Sequence, residues 1–152
     1  MRLTKLQDAL AGVTRIGIDT DATIYFVQAH PTYDALVSEV FNQIGSGHLT
    51  GFASTISLTE TLVLPIRTGD ALLQQRFRDL LLHSRNLYTT LLSPAIAERA
   101  AEIRALYNLK TPDAIQAATA LETACDAFLT NNGKDFRRVK SLNVLVLDEL
   151  EL

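Results

Sequence analysis

The chain is expected to fold as one α/β domain, a parallel sheet sandwiched between two layers of helices. Short uninterrupted apolar runs alternate with longer stretches of helical periodicity, as in strands buried on both faces and joined by helical crossovers. The chain has 152 residues, 47% hydrophobic and 20% charged. That is enough apolar surface for one core, and no low-complexity tract suggests disorder.

Taken in order, Leu3, Leu6 and Leu10 lie at helical spacing, so residues 1–11 are expected to form a short amphipathic helix. It belongs to an N-terminal extension, 1–14, ahead of the domain proper at 15–152, and is expected to cover a groove or contact a partner. Residues 15–19 read as a buried strand ending in an acid, and a short helix follows over 21–27. Pro31 suits the first turn of the next helix, which buries Leu36, Val37, Val40, Phe41 and Ile44 and ends at Gly45-Ser46-Gly47. A second strand is expected at 50–53, then a helix from Ser57 ended near Pro65 and Gly69. Asp70 caps another helix running to about His83, and 87–92 is a third strand. Ser93-Pro94 opens a helix through Tyr107 with a serine cap and proline at the first helical position; Thr111-Pro112 repeats that opening. Strands at 128–130 and 144–147 bring the count to five.

A lone cysteine, Cys125, excludes an intramolecular disulfide and suits a reducing compartment. Its alanine-rich surroundings suggest a small buried apolar residue in a helix. No apolar run has the length of a signal peptide or a membrane span, so a soluble, cytoplasmic protein is expected. The net charge of −3 argues against a simple nucleic-acid-coating protein, which is normally basic. It does not exclude an enzyme acting on nucleic acid, because metal-binding carboxylates contribute to that sum.

Ligands of open α/β sheets bind at the carboxyl ends of the strands. Asp19 stands at such an end, Glu60 lies in the first turn of the helix after the second strand, and Asp113 in the first turn opened by Thr111-Pro112. Each has a plainer explanation. Ser57-Leu58-Thr59-Glu60 is a capping-box sequence, and a helix dipole alone favours Asp113 at its N-terminus. Together, however, such carboxylates on one edge repel each other unless a divalent cation sits among them. Hard oxygen donors suit Mg²⁺ or Mn²⁺, which promote phosphodiester hydrolysis by activating water and stabilising developing charge. The three histidines, His30, His48 and His83, show no metal-ligand spacing.

On four motifs the chain resembles the PIN-domain family, including VapC-type toxins. They are Ile16-Gly17-Ile18-Asp19-Thr20-Asp21, Ser57-Leu58-Thr59-Glu60-Thr61-Leu62-Val63, Thr111-Pro112-Asp113-Ala114-Ile115-Gln116-Ala117-Ala118, and the run from Phe128 to Phe136. The resemblance extends from about Arg15 to Leu147. It implies a three-layer α/β/α domain with a parallel five-stranded sheet, Mg²⁺ or Mn²⁺ binding, and ribonuclease activity on single-stranded RNA, with an antitoxin protein and a homodimer among the partners. By position, Asp19 and Asp113 are implied as direct metal ligands, Glu60 as ligand of a second ion or holder of its water, and Thr130 as a hydroxyl near the site. Where some members carry an acid this chain has Asn132; either Asn132 or Asp135 is then expected to complete the metal site. Asp21 stands where Asn is common, as an outer acid. Lys134, Arg137, Arg138 and Lys140 form the one dense basic group, expected to anchor RNA phosphates.

Two other readings share these residues. Asp19-Thr20-Asp21-Ala22-Thr23 also matches the D-x-D-x-T signature of haloacid-dehalogenase-like phosphatases, in which Asp19 would be the nucleophile. The late paired-acid motif of those enzymes is missing at Thr130-Asn131-Asn132. A non-catalytic RNA-binding module on the same fold is the second.

Overall fold

The computed structural model describes residues 2–152. Seven strands and eight helices follow in chain order: β1 Thr4–Lys5, α1 Leu6–Ala9, β2 Arg15–Ile18, α2 Thr20–Val27, α3 Asp34–Gly45, β3 Thr50–Ser54, α4 Ile56–Thr68, α5 Ala71–His83, β4 Leu87–Thr90, α6 Pro94–Tyr107, α7 Thr111–Glu122, β5 Ala127–Thr130, α8 Gly133–Phe136, β6 Val144–Val146 and β7 Leu150–Glu151. Five strands form one parallel sheet in the order β4-β3-β2-β5-β6, the architecture expected from the alternating runs.

Strand alternation builds the two layers. Ile16, Ile18, Ala127, Leu129 and Leu145 point to one face and pack with Leu36, Val37, Val40, Phe41 and Ile44 of α3. Phe128 points the other way, into a cluster with Ile96, Ala100 and Ile103 of α6, the alanines of α7, and Phe136. Gly17 shares that second face, where a Cβ would stand 2.9 Å from Phe128 Cδ1 and 3.1 Å from Ala120 Cβ. Only glycine admits so close an approach of α7 to the sheet.

Caps at Asp70 and Ser93 form as read, accepting from the backbone N–H of Leu73 at 3.0 Å and of Ile96 at 3.2 Å. Five local expectations are corrected. Only Leu6–Ala9 of the expected N-terminal helix is helical, because Thr4 and Lys5 pair in parallel with Leu150 and Glu151; Met1 lies outside the described residues. Leu6 and Leu10 are buried in the main core, so this segment is built into the fold instead of covering a groove. Pro65 does not end α4, which continues to Thr68 and stops at Gly69 in the left-handed conformation, φ 72°. Strand β4 stops at Thr90, leaving Leu91 76% exposed. Cys125 sits half-buried in the turn after α7, not in the helix.

Candidate active site

Neighbouring crossovers leave β2 in opposite directions, toward β3 and β4 on one side and β5 and β6 on the other. Between the carboxyl ends of β2 and β5 lies the topological switch point, where open α/β sheets form their ligand crevice. Asp19 follows the last residue of β2 and Thr130 ends β5. Both are buried, at 7% and 0% exposure.

Asp19 is also the N-cap of α2. Its Oδ1 accepts from the Thr20 N–H at 2.8 Å, and its Oδ2 from the Thr130 hydroxyl at 2.7 Å. Asp21 turns back toward the same point: its Oδ2 accepts from the Asn131 N–H at 2.8 Å and its Oδ1 from the Ala22 N–H at 2.7 Å. Asp113 arrives on α7, which begins after Asn108 in a left-handed turn, φ 55°. Lys110, not Thr111, is the N-cap, and Thr111 makes no cap bond. An ion pair between Arg99 and Glu122 at 3.4 Å joins the start of α6 to the end of α7, so the two helices run antiparallel. Small buried side chains, Ala114, Ala117, Ala118 and Ala120, seat α7 against the sheet.

These acids lie within reach of one another's charge. Burial, followed by the charge of Asp21, pushes Asp19 up to about 8 despite its hydrogen bonds; Asp113 adds a smaller rise. Asp21 is raised by burial first, with Asp113 contributing. Asp113 is raised by burial, then by the charges of Asp135 and Glu60, against which Lys110 is the one opposing charge. Like-charged carboxylates in one partly dehydrated rim are unfavourable alone.

Glu60 reaches the rim from α4. The capping box does not form: Thr55 is the N-cap, and Ser57 lies inside α4 with its hydroxyl fully buried. The Ser57 and Thr20 hydroxyl oxygens are 2.8 Å apart, Thr20 donates to Glu60 Oε1 at 2.7 Å, and Gln116 Nε2 donates to Thr20 Oγ1 at 2.9 Å.

In the last motif, Asn132 caps α8, accepting from the Asp135 N–H at 3.4 Å, and donates from its side chain to Asp135 Oδ2 at 3.0 Å. Asn132 thus positions Asp135, whose charge, with that of Glu60, is felt by Asp113. Two arginines expected to bind phosphate are already engaged. Arg137 forms a two-pronged pair with Glu149, and Arg138 pairs with Asp135 at 3.0 Å. Lys134 is exposed and pairs with no described acid.

Sequence reading missed Thr20, Ser57 and Gln116, and missed how directly Asp21 is held in the site.

Among the described residues, no three acidic, histidine or cysteine side chains form a ready-made coordination shell. The donor set nonetheless fits a hard cation: all its members are oxygens, only Asp135 has an ion-pair partner among the described residues, and Mg²⁺ needs only one or two carboxylates while retaining several waters.

A family model for the PIN domain matches residues 16–142. Among solved structures, a toxin–antitoxin complex from Klebsiella pneumoniae is similar at 25% identity and a TM-score of 0.67, over 87% of this chain and 97% of that one. VapBC2 from Rickettsia felis, bound to a DNA fragment from its promoter, is similar at 19% identity and 0.70, covering 88% and 98%. FitAcB from Neisseria gonorrhoeae is similar at 17% and 0.63, covering 89% and 99%. No curated protein matches the chain by sequence.

Proposed function

Because this chain belongs to the PIN-domain family, a family of nucleases, we propose that it is a Mg²⁺- or Mn²⁺-dependent endoribonuclease cutting single-stranded RNA, and the toxin of a toxin–antitoxin pair. The observation that carries this reading is Asp19: a buried carboxylate at the switch point, held by two hydrogen bonds, with Asp21 and Asp113 raising its pKa. A site that concentrates negative charge in this way favours an oxygen-seeking cation.

Asp19 and Asp113 would hold the ion directly, with Glu60 and Asp135 at its margin. Bound there, a divalent cation supplies Lewis acidity toward a phosphoryl oxygen and lowers the pKa of water. The chain's own contribution is positional. Thr130 fixes the Asp19 rotamer, Asn132 fixes Asp135, and Lys134 offers a mobile cation to a flanking phosphate.

Exposed apolar side chains on α4, Val63, Leu64 and Ile66, and beyond β4, Leu91 and Leu92, support a protein partner. The toxin–antitoxin relatives make an antitoxin the preferred one, with a second copy of the chain as another. A free cysteine and the absence of any described helix long and apolar enough to cross a membrane agree with a cytoplasmic setting. A phosphatase using Asp19 as nucleophile is disfavoured, because Thr130-Asn131-Asn132 after β5 supplies no paired acids.

Defined single-stranded RNAs incubated with Mn²⁺ test the reading. Wild-type protein should cut them, and both EDTA and Asp19→Asn should stop it; cleavage surviving either change refutes the assignment.

A further inference from the structure

We propose that Gln116 is a positioning residue: its side-chain amide orders the Thr20 and Ser57 hydroxyls so that Glu60 is held facing the carboxylate rim. This deepens the metal-dependent reading above and rests on it. Gln116 is 2% exposed and lies three residues after Asp113, one turn along α7. Its Nε2 is 2.9 Å from Thr20 Oγ1, 3.0 Å from Ser57 Oγ and 3.4 Å from Glu60 Oε1.

A count of hydrogens fixes the direction of this network. The Glu60 carboxylate accepts the single hydroxyl hydrogen of Thr20, 2.7 Å away. With that hydrogen spent, the Ser57 hydroxyl donates to Thr20 across their 2.8 Å contact. Two amide hydrogens of Gln116 then find two acceptors, Thr20 Oγ1 and Ser57 Oγ. Thr20 accepts two bonds and donates one, and every hydrogen runs toward Glu60. Flipping the amide would set an oxygen against Glu60 and leave one hydrogen, that of Ser57, for three oxygen–oxygen contacts.

This joint connects the three helices that bear the acids: α2 behind Asp19, α4 with Glu60, and α7 with Asp113. None of its donors is charged. Gln116 therefore sets where Glu60 stands relative to Asp113 without adding to the charge at the rim, and its effect is exerted on ion binding through Glu60.

Mn²⁺ binding to the full chain, measured by calorimetry and electron paramagnetic resonance, tests this with Gln116→Met, Glu60→Gln, their double variant, and Asp19→Asn. Gln116→Met should weaken Mn²⁺ binding by about 10-fold or more, as loss of outer-shell partners does. The double variant should bind no more weakly than Glu60→Gln alone. Affinity within about twofold of wild type in Gln116→Met, with Asp19→Asn impaired, overturns the role of Gln116 and leaves the metal site standing. Unaltered affinity in Asp19→Asn overturns both. Should Gln116→Met not fold, the wild-type Gln116 amide hydrogens serve instead. They should exchange slowly by nuclear magnetic resonance and shift in Glu60→Gln; amide signals indifferent to Glu60→Gln would overturn the proposal.

Discussion

Thr130 donates its hydroxyl hydrogen to Asp19 Oδ2 at 2.7 Å, across 111 residues of chain, and accepts the Asn132 N–H at 3.0 Å. One buried oxygen thereby ties the end of β5 to the end of β2 and starts the loop that carries Asp135. Thr130→Val keeps the shape and removes both bonds. It should cost about 1–3 kcal/mol, since it strands a buried acceptor on Asp19 and an N–H on Asn132. Urea unfolding of the metal-free protein checks the loss, and Thr130→Ser should restore most of it.

Ionisation of Asp19 gives the metal-free protein a definite pH response. Its carboxyl titrates near 8 when folded, against 3.8 when exposed. Below pH 3.8 both states are protonated, and the group contributes nothing. Between about 3.8 and 8 the unfolded chain has released a proton that the native state retains, so stability falls as pH rises. For this one group the slope cannot exceed about 1.4 kcal/mol per pH unit. Unfolding in EDTA from pH 5 to 9 should show the decline. Asp19→Asn should flatten it, and saturating Mg²⁺ should offset it most at the alkaline end.

Asp126 predicts the opposite trend at acid pH, far from the site. Its Oδ2 accepts from the N–H of Thr14 and of Arg15, both at 2.9 Å, and from the Thr14 hydroxyl at 3.1 Å. The backbone bonds hold its pKa below the usual carboxylate range, so this stabilisation is present above that range and lost as pH falls through the depressed value. Asp126→Ala should cost about 1 kcal/mol, the low end for a charged acceptor because the group is exposed. Mn²⁺ affinity, measured alongside, should not change.

Basic residues of the last motif should separate by function. Arg137 is committed to Glu149 and Arg138 to Asp135, whereas Lys134 is exposed and unpaired among the described residues. In the Asp19→Asn background, fluorescence anisotropy should show Lys134→Ala weakening single-stranded RNA binding. It should reduce the slope of log affinity against log salt by about 0.7, one phosphate contact on a single strand. Arg137→Ala should leave that slope nearly unchanged.

How much of this was legible in the sequence depended on whether a signal was local. β2, β3 and β5 are buried on both faces and read as short apolar runs, so a parallel sheet and the fold class followed, whereas strand order did not. Ser93 and Asp70 read correctly because a cap is decided within four residues. Ser57 and Glu60 carried the same local signature, yet α4 starts earlier, at Ile56, and tertiary contact with Thr20 claims the Ser57 hydroxyl. Pro65 illustrates the same override: burial of its ring in α4 outweighs the lost hydrogen bond. Asp19 was identifiable as an acid at a strand end and Asp113 as one in a first helical turn, whereas Glu60, read the same way, lies beyond the first turn of α4. Gln116 was not identifiable, because one amide among alanines resembles ordinary helix composition until Thr20, 96 residues away, is brought against it.

Gly17 has no chemistry of its own, yet it sets how closely α7 can lie on the sheet. A methyl group there would press on Phe128 and on Ala120, which lies on the helix that carries Asp113. The packing beneath the carboxylate rim is thus sensitive at a position with no functional atom, through spacing alone, while every charged group remains in the chain.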